Sequence, residues 1–238
     1  MNWGPRRRFW QRAAVRPAGD LPGFGVWLDD KPLATPAGAP LLLPTEALAE
    51  AVAAEWDALE AEIDPAKLPL TRAANSAIDR VRRAPGPVID AIAEYGNSDL
   101  VCYRAAAPEA LALRQAAAWD PWLDWSARAL EAPLGVVSGV MHAPQPAASL
   151  AALRRAVEAH DAFGLTALHD LVALSGSLVL GLAVSLDALD AETAWDLSRI
   201  DEDWQAEQWG LDAEAEAAAA RKRRDFVRAR TLITLLRA

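Results

Sequence analysis

Cysteine is almost missing from this chain of 238 residues: Cys102 stands alone, so no internal disulfide forms. Histidine is nearly as scarce, and His142, His160 and His169 lie too far apart for a familiar zinc spacing. Basic residues are outnumbered, 24 Lys and Arg by 33 Asp and Glu. At a formal charge of −9 the molecule as a whole repels a phosphate backbone, which argues against general nucleic-acid binding. No apolar run reaches the roughly 20 residues that a membrane-crossing helix needs. The longest, Leu171 to Leu186, contains Ser175, Ser177 and Ser185 and reads as a buried core helix. Residues 1–16 hold five arginines (Arg6, Arg7, Arg8, Arg12, Arg16) and no acid, as a transit peptide does, yet Pro5 interrupts the stretch and from Phe9 onward it reads as a first strand. These absences predict a reducing compartment, either a cytoplasm or an organelle matrix, with no structural metal and no membrane insertion.

What is present is ample core material. Apolar residues make up 53% of the chain and charged residues 24%, a balance that argues against intrinsic disorder. Up to Pro44 the sequence is dense in breakers, with Gly4, Gly19, Gly23, Gly25 and Gly38 set among seven prolines, so only short strands and turns fit. Within it, GFGVWLDDKPLATP reads as a hairpin whose arms, Val26-Trp27-Leu28 and Leu33-Ala34-Thr35, are joined through Asp29-Asp30-Lys31-Pro32. After Pro44, Thr45 stands as an N-cap, and Leu48, Val52, Trp56, Leu59 and Ile63 recur at helical spacing opposite Glu46, Glu50, Glu60 and Glu62. Further helices are predicted over 71–83, over 87–95 closed by Gly96, and from Pro108 with a restart at Asp120-Pro121. Others are predicted over 149–163, 165–186, 191–209 stopped by Gly210, and 212–236. SDLVCYRA alternates like a short strand, and LGVVSGV at 134–140 stands outside the helical pattern. The predicted fold class is α+β in two parts: a small antiparallel β-rich domain over residues 1–44, then a larger all-α domain over residues 45–238.

Catalytic constellations are hard to find. Gly176 and Gly181 lie in apolar sequence with no Lys or Arg nearby, unlike a phosphate cradle, and read as sites of close helix packing. Neither VVSGV nor SGSLVLG matches the G-x-S-x-G of a nucleophile elbow. Cys102, in an apolar stretch, reads as a small core side chain. His160-Asp161 and His169-Asp170 are neighbours in sequence, which on a helix point in different directions, so neither is expected to form a pair. The run Asp201, Glu202, Asp203 supplies carboxylates for acid–base chemistry, but such a run is most often a solvated face.

Two features stand out instead. Tryptophan supplies 10 aromatic residues against 2 Tyr and 4 Phe, and Trp56, Trp119, Trp125, Trp195 and Trp204 each stand beside an acid. Most of these rings are expected in the core, yet tryptophan is also enriched where one protein grips another. From Asp190 to Glu216 there are ten acids and one base, Arg199; from Arg221 to Arg237 there are seven bases and one acid, Asp225. Two helices of opposite charge can pair as an antiparallel hairpin, and acids beyond what the bases cover would form a negative surface suited to a basic partner.

The blocks RRFWQRAAV, GVWLDDKPLATP, LPTEALAEAVAAEWDA, LPLTRAANSAIDRV, DLVCYRA, WDPWLDW, LSGSLVLGLAV and SRIDEDWQAEQWG, in this order, resemble the assembly-chaperone family that handles the alpha subunit of the ATP synthase F(1) sector. The resemblance spans residues 8–236. That family occurs in mitochondria and alphaproteobacteria. A match from Arg8 onward implies no presequence, and the Ala- and Arg-rich composition suits a bacterial, cytoplasmic member, whereas eukaryotic relatives act in the mitochondrial matrix. The resemblance implies a non-enzymatic chaperone without cofactor that binds the free alpha subunit transiently and shields the surface later covered by beta. It also implies a functional acid in SRIDEDWQAEQWG, placed at Glu202 with Asp201 as nearest competitor and Asp203, Trp204 and Trp209 as further partner-binding candidates. Trp56, a substitution-sensitive position of that family, reads as structural, on the apolar face with Val52 and Leu59. Two other readings stay open: a small hydrolase or transferase using a His–carboxylate pair such as His169 with an acid from another helix, and a permanent structural subunit with a large apolar face.

Overall fold

The structure, a computed structural model, describes residues 7–19 and 21–238; Gly4, Pro5 and Arg6 of the arginine-rich start lie outside them. The chain forms two compact units. One takes residues up to Pro85 with Asp161–Ala167 and Thr231–Ala238, and the other takes Gly86–His160 and Leu168–Arg230. The change from strand to helix falls at residues 44–45, within the first unit.

In the first unit, β1 (Ala13–Pro17) and β2 (Phe24–Leu28) pair antiparallel, with Ala13 opposite Leu28 and Pro17 opposite Phe24. The other edge of β2 is shared by β3 (Lys31–Pro32), opposite Trp27 and Leu28, and β4 (Leu42–Leu43), opposite Phe24 and Gly25. The first strand thus begins at Ala13 rather than Phe9. The hairpin is also tighter than expected: Asp29-Asp30 alone form the turn, and Lys31 and Pro32 already pair. Asp29 enables this with a φ of 53°, while its carboxylate accepts the backbone N–H of Gln11 at 3.1 Å and of Arg12 at 3.0 Å. Val26 and Leu28, alternate residues of β2, are buried in the packing of the sheet with α1 (Glu46–Asp57), whose Leu48, Ala49, Val52 and Ala53 are buried in turn. Thr45 caps α1 as predicted, its hydroxyl accepting from the Leu48 N–H at 3.2 Å.

The next helix, α2 (Pro69–Ser76), has no cap from its own N-terminal residue. The cap comes from α1: the Glu55 carboxylate accepts the N–H of Leu70 at 2.6 Å and of Thr71 at 3.0 Å. A π turn, Ala77–Val81, follows, with the Arg82 N–H donating to the Ala77 carbonyl at 2.8 Å.

The remaining elements are α3 (Pro85–Glu94), β5 (Tyr103–Arg104), α4 (Glu109–Ala129), β6 (Val137–Ser138), α5 (Ala147–Glu158), α6 (Ala162–Ser175), α7 (Leu178–Ser185), α8 (Ala191–Leu197), α9 (Ile200–Trp209) and α10 (Ala213–Leu235). The start of α6 and the end of α10 belong to the first unit. SDLVCYRA and LGVVSGV each supply one strand of a short parallel pair, with Tyr103 opposite Val137. In the second unit α7 is buried at every residue, its apolar side chains on all faces and its one polar residue, Ser185, meeting His160 at 3.2 Å.

Several helix limits differ from the periodicity. The apolar stretch is two helices, because Gly176 takes a φ of 73° and Ser177 then caps α7, accepting from the Leu180 N–H at 3.0 Å. Gly181 does allow close packing: a Cβ there would come 2.5 Å from Val172 Cγ2. Gly96 lies in a 3-10 turn rather than a left-handed cap, and a Cβ there would meet Leu153 Cδ1 at 3.0 Å. Helix α4 runs through Asp120-Pro121 without a restart. The missing Pro121 N–H is offset by anchors just before it: Trp119 is buried and donates to the Leu197 carbonyl at 2.9 Å, and Asp120 pairs with Arg104 at 2.5 Å.

Candidate partner-binding site

The acid-rich stretch begins with α8, capped by Asp190, whose carboxylate accepts the Thr193 N–H at 2.9 Å. Hydrogen bonding with Thr193 holds that carboxyl below the ordinary range. Periodicity carries one helix on to Trp209, but the structure breaks it. The Ser198 hydroxyl donates to the Trp195 carbonyl at 2.7 Å, and Arg199 leaves helical backbone with φ −108° and ψ 4°. Helix α9 restarts at Ile200, so Asp201, Glu202 and Asp203 fill its first turn. There each carboxylate lies at the positive end of the helix dipole, a position that stabilises by roughly 0.3–1 kcal/mol.

The three acids have different surroundings. Asp201 is half-buried and accepts from the Gln115 amide of α4 at 2.5 Å. Glu202 is exposed and pairs with Arg199 at 2.7 Å. Asp203 is exposed and has no ion pair among the described residues. Trp204 is half-buried, whereas Trp209, the last residue of α9, is 79% exposed. Gly210, with φ 92°, ends the helix, and Leu211 beyond it is 71% exposed.

An open groove of about 630 Å³ lies along α8, α9 and α10. It brings together Glu202, Asp203 and Trp209 of the expected set and leaves out Asp201 and Trp204. From α10 it takes Glu216 and Arg223, and Ala206, Ala215, Ala219 and Ala220 line it with small side chains. Glu216 was legible only as one acid of a run, since periodicity does not say which helix α10 faces.

Opposite charges on α8, α9 and α10 do not seal this end. Arg223 pairs with Glu192 at 2.6 Å and Asp196 at 3.8 Å, but Glu207 pairs instead with Arg114 of α4 at 2.8 Å. Asp203, Glu214 and Glu216 have no ion pair among the described residues, nor do Arg221, Lys222 and Arg224.

Trp56 lies in the first unit. Its indole donates to the Thr71 hydroxyl at 3.1 Å and its ring meets Trp10 edge-on at 5.3 Å, contacts that tie α1 to α2 and to the start of the chain.

The catalytic candidates are dispersed. Cys102 is buried, and desolvation, aided by Asp99, pushes its thiol up to about 12. His160 meets the Ala156 carbonyl at 3.0 Å and the Ser185 hydroxyl at 3.2 Å. His169 corrects the expectation for sequence neighbours: its ring reaches the Asp170 carboxylate at 3.2 Å, both being exposed, and that bond raises its pKa. Side-chain torsion brings together what helix geometry alone separates. None of the histidines lines the groove.

The model of the family described as ATP12 chaperone protein matches residues 7–127. Among solved structures, Atp12 from Paracoccus denitrificans is 49% identical, with 99% of this chain and 100% of that chain covered at a TM-score of 0.94. A variant of that P. denitrificans protein with one aspartate replaced by lysine matches with the same identity, coverage and TM-score. The Atu1473 protein of Agrobacterium tumefaciens, described as a candidate chaperone, is 40% identical, with 97% of this chain and 85% of that chain covered at a TM-score of 0.91.

Proposed function

Because the chain belongs to the ATP12 chaperone family, we propose that it is an assembly chaperone of the ATP synthase F(1) sector that holds the free alpha subunit in a bacterial cytoplasm until beta takes its place. The observation that carries this reading is the open groove with an exposed tryptophan and acids left over after internal pairing. A ring subunit awaiting assembly exposes an apolar interface, which is an aggregation hazard. A transient cover for it needs a few aromatic anchors within a polar rim rather than a wide apolar face. Trp209 is the anchor and Asp203 belongs to the rim, next to Glu202, which Arg199 holds. The same groove offers no histidine or cysteine for a hydrolase.

Glu202→Lys tests the reading. The substitution loses one pair with Arg199 and one favourable charge at the start of α9, a cost of about 1 kcal/mol, or roughly 2–4 °C in Tm for a chain of this size. The lysine variant of the P. denitrificans protein, which keeps its fold, supports such tolerance. Capture of purified alpha subunit, followed by light scattering during its aggregation, should be abolished. A variant that suppresses scattering as well as the parent would take the start of α9 out of the client's path. Co-purification with fully assembled ATP synthase would point to a permanent subunit instead.

A further inference from the structure

We infer that the client segment entering the groove carries a lysine or arginine beside an apolar side chain, and that Asp203 and Glu216, not Glu202, hold its cation. This rests on the chaperone reading above and specifies the chemistry of the same site. Glu202 is already engaged by Arg199, whose guanidinium also stands 5.9 Å from the centre of the Trp195 ring. Arg223 is committed to Glu192 and Asp196. Asp212 caps α10, accepting the Glu214 N–H at 2.8 Å. Of the five acids that line the groove, only Asp203 and Glu216 are left without an ion pair or a capping role among the described residues. One belongs to α9 and the other to α10, and both are exposed.

Five lining acids against two lining arginines make the groove negative, so it disfavours an anionic segment. A purely apolar segment would cover Asp203 and Glu216 and strip their water without giving them a partner, which costs binding energy. A segment with a cation next to an apolar side chain meets both demands: the cation goes to the two unpaired acids and the apolar group goes against Trp209. The same arrangement explains the expected effect of Glu202→Lys. The new lysine frees Arg199 of its partner and leaves two cations where the client's own cation must enter, so capture is lost by repulsion rather than by deletion of a contact.

The experiment uses the full chain and purified alpha subunit, with affinity and its salt dependence measured for three variants. Glu202→Gln should bind within about twofold of the parent, as for an exposed internal pair. Asp203→Asn combined with Glu216→Gln should weaken binding about tenfold and flatten the salt dependence, while Asp203→Glu with Glu216→Asp restores both. All substituted side chains are exposed, and unchanged thermal unfolding confirms that the fold is kept. The inference is overturned if the Asn/Gln double variant binds like the parent, or if Glu202→Gln loses as much as that double variant. Should the parent itself fail to hold alpha, the chaperone reading falls and the inference falls with it.

Discussion

Asp99 shows what a single buried residue contributes. Its carboxylate accepts the N–H of Val179 at 2.9 Å and of Val101 at 3.2 Å, tying the start of α7 to the turn Leu100–Cys102. Burial outweighs these bonds and pushes its pKa up to about 6 from 3.8. The folded chain therefore takes up this proton before the unfolded chain does. As pH rises from about 4 to about 6 the Asp99 contribution to stability falls, by about 3 kcal/mol in total; the cost is fully present above that window and absent below it. In Asp99→Asn this slope disappears. Urea unfolding at pH 4 and pH 7 should show the parent losing more stability across the interval than the variant, and equal losses would assign the titration to another group. Little of this was legible beforehand, because Asp99 in SDLVCYRA carries no mark of the helix, eighty residues on, that it caps. Cys102 was legible as a core side chain because its immediate neighbours are apolar.

At the scale of elements, propensity and packing disagree most clearly in α4. Pro121 lies inside the helix and withholds the N–H that the Ala117 carbonyl would otherwise accept. Trp119 and Asp120 hold the segment helical through that defect. Pro121→Ala should therefore raise the unfolding free energy by about 1–3 kcal/mol, read as a higher urea midpoint at unchanged slope. A lower midpoint would show that the packing of Trp119 depends on the proline. The breaks at Gly176-Ser177 and Ser198-Arg199 teach the same lesson in reverse. Apolar periodicity is compatible with one helix across each; Gly176 in left-handed backbone interrupts the first before Ser177 caps α7, and Ser198 bonding back to the Trp195 carbonyl marks the second. Only after the second break do three consecutive acids become the first turn of a helix.

For the molecule as a whole, the excess of acid matters for encounter more than for folding. A charge of −9 with an open acidic groove should draw a basic client segment in and speed its capture. Raising salt from about 50 mM to about 500 mM shrinks the screening length to a few ångströms, so the association rate with alpha should drop at least several-fold while the dissociation rate changes little. Stopped-flow mixing across that range checks this, and a salt-independent rate would leave apolar contact as the driving force. The division into units also belongs to this scale. Helix α1 packs with the sheet that precedes it, and segments 161–167 and 231–238 join the same unit. Residues that far apart leave no local trace of their association.

The amino-acid order alone settled what depends on one or two turns of chain: the breaker-rich strands before residue 45, Thr45 and Gly210 as helix limits, the burial of the apolar stretch from Leu178 to Val184, and blocks distinctive enough to identify the family. Tertiary structure decided where each carboxylate finds its partner. Asp201 went to Gln115 and Glu207 to Arg114, while Asp203 and Glu216 were left open on the groove. The reason is range. Helix propensity and capping act over a few residues, whereas a charge is satisfied by whatever side chain the folded backbone brings within about 3 Å, however far away it lies in sequence.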